Sequence, residues 1–361
     1  MLQIRLCRRP GNEFRYCSRT PLAASTAVAA AVQQPTAGQC VKSNVLSGLT
    51  FSNYRQDMTD HSSLLGRRPP ALRRSWLFVG GDDEAAHAGA CNLGADVVIQ
   101  ELEDSTPPQR RAQARSLAAN AYATWRKAGM LAAVRINPLE TDGLDDLAGV
   151  VPAQPDIILM SKVSEPEQVR RLATEVQRLE HQHGLPAGAI ELVPNIESAR
   201  GVMQTYAIAT ASERVTGVAG STEDTAADLG AVRGKDAAEL AYVRQRLHVE
   251  CVAARGLSID CPYTFADAEG CEADTRYARR LGYLAKLINA PAHVIVVNRV
   301  MTPSRAEIEE ARAIIAAFDN ASRGLGDQQA QVEGRMLELP IFLNAQRLLE
   351  RAAALGVSHD G

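Results

Sequence analysis

From residue 73 onward the chain alternates short apolar runs with amphipathic stretches, and that alternation leaves few folds open. The runs fall at residues 75–79, 96–102, 131–136, 156–160, 190–196, 214–219, 257–259 and, more weakly, 284–288. Between them lie segments of helical period. In residues 167–179, for example, Val169, Leu172, Val176 and Leu179 share one face. Helix starts are marked by Ser105 ahead of Pro107-Pro108 and by Thr302-Pro303-Ser304 ahead of residues 305–318. Eight β/α units in about 220 residues is the count of a (β/α)8 TIM barrel. A doubly wound sheet competes, but neither GxGxxG nor GxxxxGK[ST] follows any run. The expected fold is therefore α/β, a TIM barrel with a C-terminal helical extension.

Residues 71–320 are assigned to the barrel. Residues 1–70 differ in texture: Arg5, Arg8, Arg9, Arg15, Arg19 and Lys42 face a single acid, Glu13, before Asp57. No helical or strand period is sustained there. An Arg-rich, acid-poor leader describes an organellar transit peptide; the alternative, favoured here, is an extension ahead of a start at Met58. Either way the segment is expected to lie outside the fold. The location is then cytoplasmic, or an organellar matrix if the leader is a transit peptide. Residues 321–361 hold a Gly-containing linker, a Gln-rich patch at 328–331 and an amphipathic stretch at 340–355. A tail beyond a closed barrel is expected to pack across a neighbouring subunit of a homo-oligomer, a trimer or hexamer.

A net charge of −3 argues against a nucleic-acid partner. No run approaches 18 apolar residues, so no membrane span is expected. The seven cysteines form no CxxC pair, and their odd number opposes a disulfide framework.

In a barrel, polar residues at strand C-termini face the active site. Here successive runs end in Gln100-Glu101-Leu102-Glu103-Asp104, Arg135-Ile136-Asn137, Ser161-Lys162, Glu197 and Glu223-Asp224. One such acid is readily a helix N-cap. Five consecutive strands ending this way point to a shared charged rim. Two carboxylates from neighbouring strands, Glu197 and Asp224, are oxygen ligands that Mg²⁺ accepts alongside water and substrate.

The run Arg73-Arg74-Ser75-Trp76-Leu77-Phe78-Val79-Gly80 resembles the opening strand of the citrate lyase β-subunit and malyl-CoA lyase family, the HpcH/HpaI aldolase superfamily. Residues 94–105, Val134-Arg135-Ile136-Asn137, Pro194-Asn195-Ile196-Glu197-Ser198 and residues 223–230 are similar to that family's later motifs, in order. Residues 297–304 resemble the segment after its eighth strand, so the likeness covers about residues 72–350.

The resemblance implies Mg²⁺, for which Mn²⁺ can substitute, held by Glu197 and Asp224. It makes Arg135 the holder of the oxo-acid and of the developing enolate oxygen. Glu103 and Asp104 become the acidic pair near the metal's water shell, Arg74 and Lys286 further substrate contacts, and Glu338 a candidate base from a neighbour's tail. The implied substrates are a CoA thioester and an oxo-acid. In such chemistry a β-hydroxyl loses its proton, the C–C bond breaks and a thioester enolate leaves.

This chain departs from the pattern at several points. Glu101 and Glu338 stand where Asp is expected, and Gly80 replaces a proline. The eighth-strand pattern Gly-Lys-x-x-Ile-His-Pro becomes Ala285-Lys286-Leu287-Ile288-Asn289-Ala290-Pro291. These changes keep two alternatives open: a CoA-independent hydroxy-oxo-acid aldolase, and a non-catalytic or regulatory paralogue. His181-Gln182-His183 reads as a solvated loop, and His87 as packing or surface. Ser198 and Ser221 lack a His partner with a defined role.

Overall fold

The computed structural model describes residues 5–9, 13–17, 66–323, 331, 332 and 335–357. All eight apolar runs are strands: β1 (Ser75–Gly80), β2 (Val97–Glu101), β3 (Leu131–Ile136), β4 (Ile157–Met160), β5 (Glu191–Ile196), β6 (Gly217–Gly220), β7 (Leu257–Asp260) and β8 (Ala285–Ile288). Each pairs in parallel with the next, and β8 closes on β1. The expected (β/α)8 barrel with a helical C-terminal extension is the observed fold.

Both faces of every strand are covered, which explains why the strands read as near-continuous apolar runs. Alternate side chains point inward, where Trp76, Ile99, Ala133, Leu159, Val193 and Leu287 fill the interior. Their neighbours Leu77, Val98, Val134, Ile158, Leu192 and Ile288 point outward to the helix layer. Two helices show how the sequence sets that layer. α4 (Pro166–Gln182) begins with proline in its first turn, and Gln168 Oε1 accepts the Glu165 N–H at 3.0 Å. It buries the stripe Val169, Leu172, Val176 and Leu179. α2 (Arg111–Lys127) buries Trp125, whose Nε1 donates to the His87 carbonyl at 2.9 Å. Fully burying a Leu or Val side chain is worth roughly 1.5–3 kcal/mol, so such stripes hold the helices to the sheet.

Below the barrel, at the strand N-termini, Arg73 is fully buried and donates to both Glu191 oxygens at 2.6 and 2.9 Å. Arg74 donates to Asp96 at 2.8 Å and to Thr302 Oγ1 at 2.8 Å.

Two features differ from the sequence reading. Arg5–Arg9 and Glu13–Cys17 pair as two antiparallel strands, although no strand period was expected there. Met58 lies outside the described residues. The second difference is the boundary between units. Residues 51–302 form one compact unit, whereas the helix Arg305–Arg323 belongs to the other, with the tail helix Leu339–Ala354. Ala311, Ile314 and Phe318 pack with Leu337 and Ala345, and the Phe318 and Phe342 rings stack at 4.6 Å. That apolar seam, not the barrel, sets the boundary.

Candidate active site

The C-terminal ends of the strands surround a cavity of about 300 Å³, lined among others by Phe78, Glu101, Asp104, Arg135, Asn195 and Asp224. Gly81 makes a tight corner of this rim. A Cβ there would sit 2.5 Å from the Glu101 carbonyl oxygen, so only glycine lets the loop after β1 lie against the end of β2.

Arg135, on β3, is the hub of the charged groups. It lies opposite Glu101 in the sheet register, and its guanidinium pairs with that carboxylate. The same Nη2 is 3.2 Å from both Glu103 and Asp104, while Nη1 is 3.5 Å from Glu197. The Phe78 ring lies 4.8 Å beneath the guanidinium carbon. Burial opposes the charge on Arg135, yet Glu101, Glu197 and Glu103 outweigh it and hold the group above its ordinary range. Glu101 is 1% exposed and accepts the Glu103 N–H at 2.7 Å, so one carboxylate fixes both the arginine and the acidic turn. Burial pushes the Glu101 carboxyl up, against the pull of Arg135.

Glu197 follows β5 and is 4% exposed. Its Oε1 accepts from Asn195 Nδ2 and faces Arg135, while its Oε2 is buried without a hydrogen-bond partner. Burial raises its carboxyl to about 8; Arg135 opposes the shift, and Glu103 and Asp224 add to it. Asp224 stands in the first turn of α7 (Glu223–Asp228), with Oδ2 accepting from Ser221 Oγ at 2.8 Å. Glu223, beside it, is exposed and paired with Arg233 at 3.2 Å. Lys162, just past β4, pairs with Glu103 and lies 3.9 Å from Asp104. Its φ of 55° is left-handed, a conformation costly for a lysine and found where a site over-determines the backbone. The hydrogen bond to Glu103 raises its pKa.

The structure thus brings Arg135, Glu103, Asp104, Glu197 and Asp224 to one rim. It does not bring Arg74 or Lys286. Arg74 precedes β1 at the opposite end of the barrel, held by Asp96. Lys286 sits between the inward Ala285 and Leu287, so it points out to the helix layer. There its Nζ bonds Asp260 at 2.6 Å, Asp274 at 2.5 Å and the Cys261 carbonyl at 2.6 Å. Arg244 completes this buried quartet. The substrate-contact reading of both residues is therefore corrected: each is a structural ion-pair partner. Glu338 belongs to the other unit, where it is exposed at the start of the tail helix.

Glu101 and Lys162 were read as strand-end residues of the rim without a role, and Asn195 was not placed on the rim. Each had a signal, being a polar residue within two positions of a strand end. Among the other polar residues considered, His87 packs edge-on against Trp125 with Nε2 2.9 Å from the Gly80 carbonyl oxygen. Ser198 caps a helix through the Gly201 N–H. His181 falls in the last turn of α4 rather than in a loop, with His183 as its cap.

Among the described residues, no three His, Cys, Asp or Glu side chains converge as a complete metal-ligand set. Two carboxylates, one with a buried oxygen lacking a partner, instead suit a hard cation that retains water and takes substrate oxygens.

A closed β/α barrel with a charged arginine among buried carboxylates at the C-terminal ends of its strands has the architecture of a barrel enzyme. The chain belongs to the HpcH/HpaI aldolase/citrate lyase family of carbon–carbon lyases, whose sequence pattern matches residues 74–291. It is 33% identical over 285 residues to citrate lyase subunit beta of Leuconostoc mesenteroides subsp. cremoris, covering 78% of this chain and 94% of that one. It is 32% identical over 291 residues to a (3S)-malyl-CoA thioesterase of Cereibacter sphaeroides, covering 78% and 95%. The crystal structure of CitE from Mycobacterium tuberculosis with magnesium, acetoacetate and coenzyme A superposes with a TM-score of 0.65. That pair is 26% identical and covers 79% of this chain and 99% of that one.

Proposed function

We propose that the protein is a Mg²⁺-dependent CoA-ester lyase. It cleaves or forms the C–C bond of a β-hydroxyacyl thioester of malyl-, citramalyl- or citryl-CoA type, giving an acyl thioester and an oxo-acid. The observation that carries this reading is Arg135 poised over the cavity among Glu101, Glu103, Asp104 and Glu197, with Asp224 on the same rim. The relatives' names and the magnesium and coenzyme A in the CitE structure agree with it.

Glu197 and Asp224 are the residues that would hold the cation; Glu197 Oε2 is the buried oxygen left for it. When bound, Mg²⁺ (or Mn²⁺) supplies Lewis acidity to the hydroxyl and carboxylate of the substrate. The chain's own residues do the rest. Arg135 keeps its proton, so its fork is available to a carboxylate and to the oxygen on which enolate charge grows. Glu101 and Phe78 fix the direction of that fork. Glu103, held by Lys162 and Arg135, orders the acidic turn above the cavity. Glu338 from the tail of a second copy in a homo-oligomer is the base this reading assigns to the β-hydroxyl proton.

The test is incubation with malyl-, citramalyl- and citryl-CoA with and without Mg²⁺, followed by mass spectrometry. Acyl-CoA and oxo-acid appearing only with Mg²⁺ support the reading; free hydroxy-acid and CoA alone indicate thioester hydrolysis and count against it. One observation favours a second reading, a CoA-independent aldolase. Leu287 and Asn289, from the strand end that departs most from the family pattern, line the cavity. Saturation by pyruvate and an aldehyde without acetyl-CoA supports that alternative.

A further inference from the structure

Asn195 is a polar residue that follows the apolar run Leu192-Val193-Pro194 in β5. Alternation along β5 puts Val193 in the barrel interior, so Asn195 and Glu197 follow on the same inward face. Asn195 is 1% exposed and lines the cavity. Its Nδ2 donates to Glu197 Oε1, whereas its Oδ1 is buried with no hydrogen-bond partner.

The orientation of this amide follows from chemistry. Once Glu197 is ionised to hold a cation its carboxylate only accepts, so the amide NH₂ then faces Glu197 and the amide oxygen faces away. An orphan buried acceptor costs about 1–3 kcal/mol, and an apolar residue here would avoid that cost. The fold tolerates it beside a carboxylate whose own Oε2 is likewise buried without a hydrogen-bond partner, Glu197. The second carboxylate is arranged in the same way: Ser221, three residues before Asp224, binds its Oδ2. Each candidate ligand therefore has one oxygen occupied by an upstream side chain.

We infer that Asn195 is a positioning residue for the metal: it holds Glu197 Oε1 so that Oε2 is presented to the cation, and offers Oδ1 to a donor that enters with the ligand. This rests on the proposal that Glu197 and Asp224 bind Mg²⁺. Partners that orient a metal ligand typically change metal affinity 10–100-fold when removed.

The experiment is calorimetric titration of MgCl₂ into the full chain and into Asn195→Leu, with melting temperatures measured without metal. Leucine is close in volume and removes the orphan oxygen. The expected result is Mg²⁺ affinity lowered 10–100-fold, with the metal-free melting temperature equal to or above that of the native chain. A merely structural asparagine predicts the opposite pattern. An affinity within twofold of native, or a loss of affinity accompanied by a lower metal-free melting temperature, overturns the inference. Asn195→Ala, which adds no bulk, carries the same expectation for Mg²⁺ should the leucine variant not fold. Native chain that binds no Mg²⁺ overturns the metal reading itself; native binding matched by both variants overturns only the role of Asn195.

Discussion

Binding of Mg²⁺ to this rim is predicted to release a proton, because Glu197 must ionise to serve as a ligand. Its carboxyl is pushed up to about 8, by burial first and then by Glu103 and Asp224 against the opposing Arg135. A raised carboxyl keeps its proton below about pH 8, so Mg²⁺ affinity rises with pH up to that point and levels off above it. At pH 6, about two units lower, roughly one site in a hundred is ionised, which weakens apparent affinity about a hundredfold, or ~2.7 kcal/mol. Titration calorimetry at pH 6, 7, 8 and 9, in buffers of different ionisation enthalpy, reads both the slope and the protons released. Near pH 7 about one proton per Mg²⁺ is expected. The metal-free protein has its own signature. The folded state holds this proton more tightly than the unfolded chain. That contribution is complete below the ordinary carboxylate pKa and is lost as pH rises through about 8. Metal-free melting temperature should therefore fall between pH 5 and 9, and Glu197→Gln should flatten both profiles. Affinity that is flat from pH 6 to 8, with no proton released, refutes the reasoning.

Replacing Arg135 by Lys keeps one positive charge but cannot meet Glu101, Glu103, Asp104 and Glu197 together. A kcat loss of about a hundredfold or more is expected, with the circular dichroism of the native fold. Breaking the buried quartet by Lys286→Met leaves Asp260 and Asp274 with Arg244 alone. Denaturant unfolding should report a loss of about 3–5 kcal/mol while Mg²⁺ affinity in the folded protein stays unchanged; a substrate contact would show the reverse. Lys162→Gly and Lys162→Ala both lose the ammonium, yet only glycine accepts a φ of 55° freely. The glycine variant should be the more stable by about 1 kcal/mol in the same assay.

The barrel was legible because parallel strands buried on both faces leave apolar runs, and all eight did. The rim was legible for the same reason: strand ends are where those runs stop, at Glu101, Arg135 and Glu197, with Asp224 opening the helix after β6. Direction across the sheet was harder to read. Lys286 matched a family pattern, but its outward orientation depends on alternation about Ala285 and Leu287, and its partner Asp274 lies on a separate helix. Arg74 looked like a rim residue because the motif gives no sense of which end of β1 it occupies. Lys162 was visible as a strand end, whereas its left-handed backbone comes from tertiary context that no local pattern encodes. Asn195 was hidden inside a motif. Its meaning emerges only when the amide is found against Glu197 with its oxygen unpaired.

Glu197, with Asp224 and Arg135 on the same rim, is proposed to carry metal-assisted C–C cleavage of a thioester. The most direct test is single-turnover cleavage of the best thioester by native chain and by Glu197→Ala, each at saturating Mg²⁺, with oxo-acid quantified by mass spectrometry. Native chain should yield one oxo-acid and one acyl-CoA per substrate consumed, and the variant should yield neither. Equal cleavage by the two proteins contradicts the account.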